Sequence, residues 1–187
     1  SVRCVYETGD RKADGLTHSS IWCIVKDNQG TLWLGTYFGG VNYFNPEYEI
    51  YTRYSYSSNE KKGLSNPVVG RTIEDKDGNL WIGTEGGGLN YYNRRTREFK
   101  WYRPQEGRNS ISHNNVKALY YDADKEIIWI GTHLGGLNKL DIRSGHFTHY
   151  RMEEGNPATL PSDIIRDIIP YKSLLIIATQ NGVCLFD

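Results

Sequence analysis

Residues 65–102 read SNPVVGRTIEDKDGNLWIGTEGGGLNYYNRRTREFKWY, and this stretch decides the fold. Val68 to Asp75 is rich in β-branched residues and predicts a strand, and Asp75-Lys76-Asp77-Gly78-Asn79 supplies a turn whose glycine can take the positive φ of a hairpin. Leu80 to Thr84 is a second strand, Glu85 to Gly88 a turn, Leu89 to Asn93 a third strand, and Arg94 to Arg97 another turn before a fourth strand at Glu98 to Arg103. The whole is a four-stranded antiparallel meander.

The same frame returns on both sides. Trp33-Leu34-Gly35-Thr36, Trp81-Ile82-Gly83-Thr84 and Trp129-Ile130-Gly131-Thr132 are spaced 48 residues apart, with a weaker copy at Ile176-Ile177-Ala178-Thr179. Each is followed by a glycine turn and an apolar residue, at Gly39-Gly40-Val41, Gly87-Gly88-Leu89, Gly135-Gly136-Leu137 and Asn181-Gly182-Val183. Tyr6, Tyr54, Tyr102 and Tyr150 mark the ends of units, and Leu16, Leu64, Ile111 and Leu160 open the next ones. The period is continuous along the chain.

Within a unit, Trp81, Gly83, Leu89 and Tyr91 alternate with Ile82, Tyr92 and Phe99, so both faces of the sheet are apolar. A lone sheet cannot bury two apolar faces, and stacked sheets can; four strands per unit at this period predict β-propeller blades in an all-β chain. The units expected are 16–63, 64–110 and 111–159, with 160–187 completed by 1–15 as a fourth. Residues 1–8 would supply only a fourth strand and 160–187 only the first three, so the two ends complement each other. Closure within one chain, pairing of two chains and a slice of a larger ring are the three arrangements this allows.

Composition agrees with the class and narrows the partners. Gly (20), Tyr (14) and Trp (5) suit pleated surfaces joined by tight turns. The 22 basic and 22 acidic side chains balance without a basic block, which argues against nucleic acid and against direct membrane contact. No apolar run reaches the roughly 20 residues of a membrane span, and no signal peptide is visible at Ser1. Cys4, Cys23 and Cys184 are unclustered and are expected as buried free thiols. No cofactor or metal motif is present: the acidic turns at 75–79 and 122–126 fall short of a calcium loop, and the histidines lack metal-ligand spacing.

The 65–102 pattern, with its turn, Trp-Ile-Gly-Thr and Gly-Gly-Leu-Asn, closely resembles the two-component regulator propeller repeat. That resemblance implies a periplasmic or otherwise extracytoplasmic sensor portion of a hybrid two-component histidine kinase. It implies binding of a small polar ligand such as an oligosaccharide, with the remaining repeats of a parent sensor as partners. A structural propeller that oligomerises through blade pairing, as in a homodimer, is the alternative, and a lyase or glycosidase a more remote one.

Residues that repeat explain the fold, so function is expected where the copies disagree. The repeated Trp, Tyr and Gly are packing and turn elements. The turn between second and third strands varies: Tyr37-Phe38, Glu85-Gly86, His133-Leu134 and Gln180-Asn181. Meander geometry puts it on the rim that carries the connections between units, near Asn66, His113, Asn114, Asn115 and Asp163. First-strand positions vary too, with Trp22, Gly70, Lys117 and Arg166 in one set and Cys23, Arg71, Ala118 and Asp167 in another. Tyr37, Phe38, Glu85, His133, Gln180, Asn181, Arg71 and His113 are therefore the candidate ligand-binding residues. No catalytic residue is assigned, because no paired carboxylates or nucleophile and base stand out; His133 with Glu85 on that rim could act as acid and base in the remote enzyme reading.

Overall fold

A computed structural model describes residues 16–45 and 50–187. The expected fourth strand at residues 1–8, with Tyr6 and Cys4, lies outside them. The described residues form four antiparallel sheets. The first holds β1 (Ile21–Lys26), β2 (Leu32–Thr36), β3 (Val41–Asn45) and β4 (Ile50–Tyr54), and the second β5 (Val69–Glu74), β6 (Leu80–Thr84), β7 (Leu89–Asn93) and β8 (Glu98–Tyr102). The third holds β9 (Val116–Asp122), β10 (Ile127–Thr132), β11 (Leu137–Asp141) and β12 (Phe147–Tyr150); the fourth holds β13 (Ile165–Tyr171), β14 (Leu174–Thr179) and β15 (Gly182–Phe186). Every sheet is an in-order meander. A 3-10 turn at Glu60–Lys62 sits between the first two.

The sheets stack about their first strands: β1 lies beside β5, β5 beside β9 and β9 beside β13. Each gap between sheets is a separate apolar core. Trp33, Val41, Leu64, Val69, Leu80 and Ile82 fill the first, Trp81, Leu89, Val116, Leu119 and Ile130 the second, and Trp129, Leu137, Ile165, Ile168 and Ile177 the third. The alternation within each strand sends one set of side chains to the preceding sheet and the other to the following one. Both faces of the inner sheets are thus used, as the pattern requires.

The frame residues each have a task that the register exposes. Asp27 Oδ1 accepts the backbone N–H groups of Gln29 and Thr31, and its Oδ2 accepts the Trp33 indole N–H at 2.7 Å; Asp75 does the same for Asp77, Asn79 and Trp81. The turn aspartate therefore ties the hairpin and orients the buried tryptophan in one stroke. Burial alone would raise the Asp27 carboxyl, but the Trp33 and Thr31 hydrogen bonds and the Arg94 guanidinium outweigh it and hold it below the usual carboxylate range. In the third copy the hairpin is one residue longer, and Asp122, at the same place after the first strand, accepts the Lys125 N–H.

The glycine of the frame lies inside the second strand, as expected, and a contact explains it. Gly35, Gly83 and Gly131 have ordinary strand backbones, and a Cβ at Gly35 or Gly83 would lie 2.6 Å from Cγ1 of Val69 or Val116 in the next sheet. At Gly131 the obstruction is Ile165. Glycine is present because the neighbouring sheet comes that close. Positive φ belongs instead to Gly40, Gly88 and Gly136 in the following turn, where a Cβ would also strike the carbonyl of Tyr54, Tyr102 or Tyr150. The cysteines differ from expectation: Cys23 and Cys184 are half-buried rather than buried.

Candidate functional site

The variable turns and the connections between sheets share one rim. The N–H groups of Tyr37, Glu85, His133 and Gln180 donate to the carbonyls of Ser20, Val68, Asn115 and Ile164, at 2.9–3.1 Å. Each turn is also pinned to the connection that enters the next sheet, Gly40 to Pro67, Gly88 to Asn114 and Gly136 to Asp163. A buried latch reinforces this in three copies. Asn42, Asn90 and Asn138 accept the N–H of Thr17, Ser65 and Ser112 and donate to their hydroxyls, which in turn donate to the Gly39, Gly87 and Gly135 carbonyls. The rim is a rigid frame for the side chains it carries.

In the fourth sheet that latch is missing on both sides at once. Cys184 occupies the asparagine register opposite Ile177, and Pro161, which has no N–H to give, replaces the serine. Losing donor and acceptor together leaves no orphaned polar group. The turn at 180–182 keeps the Gln180 N–H bond to Ile164, the Thr179 hydroxyl bonded to Gly182 and Asn181, and a 3.5 Å contact from Asn181 to the Pro161 carbonyl.

Every first strand carries a β-bulge at the same place. The register passes from Ile21 to Cys23, Val69 to Arg71, Val116 to Ala118 and Ile165 to Asp167, so Trp22, Gly70, Lys117 and Arg166 are each the extra, unpaired residue. Bulges re-aim side chains at sheet ends. Here they bring the bulge residues to the turn residues: Trp22 packs on Tyr37 with ring centroids 4.8 Å apart, Lys117 pairs with Glu85 of the preceding sheet, and Arg166 donates to Gln180 at 3.2 Å. Two sets of variable positions that are distant in sequence thereby form one surface.

The chemistry of that surface changes from sheet to sheet. At the first sheet Trp22, Tyr37 and Phe38 are exposed by 44, 38 and 57% and Tyr37 packs on both of the others, with His18 edge-on to Tyr37 and Phe38. Tyr37 thereby joins three exposed rings into one aromatic patch on the rim. At the second and third sheets it becomes charged through Glu85 and Lys117, and then carries the imidazoles of His133 and His113, whose rings stand 6.5 Å apart. Glu85 is engaged by Lys117, and the His133 ring meets that of His113.

His113 is partly a framework group. Its Nδ1 accepts the Asn115 N–H at 3.1 Å, the task that Asn66 Oδ1 performs for Val68 and Ser162 Oγ for Ile164. Burial, then His133 and Arg151, hold its imidazole below the ordinary value, so it is kept neutral. Arg71 is bound to Asp167 at 3.1 Å, a pair that reaches from the second sheet to the fourth past the third, and both side chains remain half-exposed. Among the candidates Tyr37, Phe38, Glu85, His133, His113 and Gln180 share the rim, Asn181 follows on its exposed end, and Arg71 lies deeper along the first strands. Trp22, Lys117 and Arg166 belong with them. Their variation was visible in the sequence, but the bulge that turns them to the rim was not.

Comparison with known proteins places this geometry. The family described as two component regulator propeller matches residues 15–38, 63–86 and 110–133, the first two strands and rim turn of three copies. The extracellular domain assigned to hybrid two-component system BT3049 of B. thetaiotaomicron is 27% identical, with a TM-score of 0.77 over 93% of this chain and 25% of that one. The extracellular domain assigned to one-component system BT4673 of the same organism gives 24% and 0.76, over 95% of this chain and 23% of that one. PorZ, a surface component of the type-IX secretion system of Porphyromonas gingivalis, gives 20% and 0.67, over 95% and 27%. The latter two likenesses show the fold alone. The chain spans about a quarter of the length of these structures. No curated protein matches it.

Proposed function

We propose that this chain, built of two-component regulator propeller repeats, is a non-catalytic segment of an extracytoplasmic sensor that takes a carbohydrate or other polar small molecule on its variable rim. The observation that carries the reading is the set of four equivalent bulges, which spend the same structural irregularity in every sheet to aim non-repeated side chains at non-repeated turns. The aromatic group of Trp22, Tyr37 and Phe38 offers flat apolar faces to the C–H face of a sugar ring, while Glu85, Lys117, His133 and Gln180 offer hydrogen bonds to hydroxyls. Signalling to a kinase and a periplasmic location belong to the same proposal, which the likeness to an extracellular two-component domain at 27% identity supports.

The test is a panel of oligosaccharides and charged small molecules screened by thermal shift and followed by calorimetry on the chain. A hit whose Kd weakens about tenfold or more in Trp22→Ala and Tyr37→Ala, a loss of about 1.4 kcal/mol, supports the reading. His146→Ala, on an exposed outer position, should leave it unchanged. A panel with no hit, or a hit indifferent to both aromatic variants and to Glu85→Ala, defeats it.

A further inference from the structure

The rim turn of the third sheet holds a residue that the fold does not call for. The Thr132 N–H donates to the Gly136 carbonyl as that of Thr84 does to Gly88, so Leu134 and Gly86 occupy the same place. Gly86 has a φ of 106° and Leu134 one of 75°, in the left-handed region where a leucine Cβ is strained and glycine is not. Yet the Leu134 side chain is 56% exposed and joins none of the three cores. Among the described residues the other non-glycine positions with positive φ, Arg97, Glu126 and Lys172, are polar and lie in hairpins at the opposite end of the sheets. Strain that serves only to expose an apolar side chain has no compensation inside the chain, and residues of this kind cluster where ligands are held.

Beside Leu134 stand two imidazoles whose protons are placed by their surroundings. His113 Nδ1 accepts the Asn115 N–H and burial keeps the ring neutral, so its proton is on Nε2. His133 Nδ1 is buried with no partner, and a proton there would be a buried donor without an acceptor, so Nε2 carries it as well. The carboxylates nearby are engaged: Glu85 is paired with Lys117, and Asp163 accepts the Met152 N–H on Oδ1 and faces Arg151 at 3.7 Å with Oδ2. The corner therefore offers two N–H donors, on rings with centroids 6.5 Å apart, next to an apolar side chain.

We infer that His113, His133 and Leu134 form an oxyanion subsite of the rim, which takes the singly charged carboxylate or sulfate ester of an acidic sugar with the sugar ring against Leu134. This rests on the rim being a ligand site and names the class of ligand. Two oxygens of one such group each accept one Nε2–H at about 2.7–3.2 Å. A neutral hydroxyl brings an O–H of its own, for which the corner has no free carboxylate, so a group that only accepts is the better fit. Single charge follows from the cations at hand: Arg151 is already faced by Asp163, and Lys117 by Glu85.

Calorimetry on the full chain with three probes tests this: a glucuronate-containing disaccharide, its carboxyl methyl ester, and the sulfate ester of the corresponding glucose disaccharide. At least one charged probe is expected to bind about tenfold or more tightly than the methyl ester, and the two charged arms tell which oxyanion is preferred. His113→Asn, which keeps the turn bond in the manner of Asn66, and His133→Ala should each reduce that preference to about threefold or less. Leu134→Asn should weaken the charged probes and raise the melting temperature, because asparagine tolerates the left-handed backbone; a lower melting temperature would show that the leucine serves the fold and overturns the inference. Equal or tighter binding of the methyl ester also overturns it, as does a charge preference untouched by both histidine variants, or no binding of either charged probe where a neutral sugar binds; in each of these the rim remains a ligand site. If neither these probes nor any member of the wider panel binds, both readings fail.

Discussion

Gly131 and Ala178 occupy one register in adjacent sheets and should respond oppositely to a single methyl group. Gly131→Ala drives a Cβ into Ile165 and is expected to cost about 1–3 kcal/mol in urea unfolding. Ala178→Gly removes a methyl facing open space and should cost no more than about 1 kcal/mol, the backbone-entropy difference. At the rim, His113 predicts a pH dependence. Its folded pKa lies below the ordinary imidazole value, so its contribution is full above that value and is lost as pH falls through the folded one. Melting temperature should therefore drop between neutral pH and about pH 5.5, and His113→Asn, which copies Asn66 at the same turn, should flatten that slope while keeping the fold. The glycine in Trp-Ile-Gly-Thr was readable as repeated but not as a contact, since its reason lies on another sheet. The neutral, framework role of His113 was likewise out of reach, because one nitrogen is spent on a backbone N–H two residues away.

At the scale of elements, the meander of strands and turns was legible nearly to the residue. β6 and β7 begin and end where the Trp-Ile-Gly-Thr and Leu-Asn-Tyr-Tyr-Asn runs do. What the alternation could not reveal is the bulge, because one unpaired residue in a first strand changes no composition and only shifts a register. The turn of the fourth sheet is the element whose difference should be measurable. With Pro161 and Cys184 in place of the serine and asparagine latch, the 180–182 turn is held by fewer buried bonds than 85–88 and 133–136. Amide hydrogen exchange should be faster there under native conditions, and protection equal to the other two turns would show that the latch contributes little.

In the whole molecule, the second and third sheets are covered on both faces, while the fourth has an open face at Val183 and Leu185 and, among the described residues, an outer edge with no strand beyond β15. Stacked repeats gain stability from their interfaces, so sheets with two of them should open last. Native-state hydrogen exchange in rising urea is expected to release β13–β15 before β5–β12; a single opening event for all four sheets would show that the stack is fully cooperative. The Arg71–Asp167 pair does not alter this order, because both partners are half-exposed and such pairs contribute about 0–1 kcal/mol.

The sequence by itself determined the repeat, the strand order within each sheet and the need to stack the sheets, because period, alternation and turn residues are local properties that every copy restates. It also separated repeated residues from variable ones, and so located the rim turns. Only the tertiary structure decided which variable residues meet: Trp22 with Tyr37 and Arg166 with Gln180 across the rim of one sheet, and Lys117 with Glu85 between two. It alone also showed why glycine stands before the threonine in three copies. Those facts are contacts between segments that lie far apart along the chain, and a linear pattern carries no distance between them.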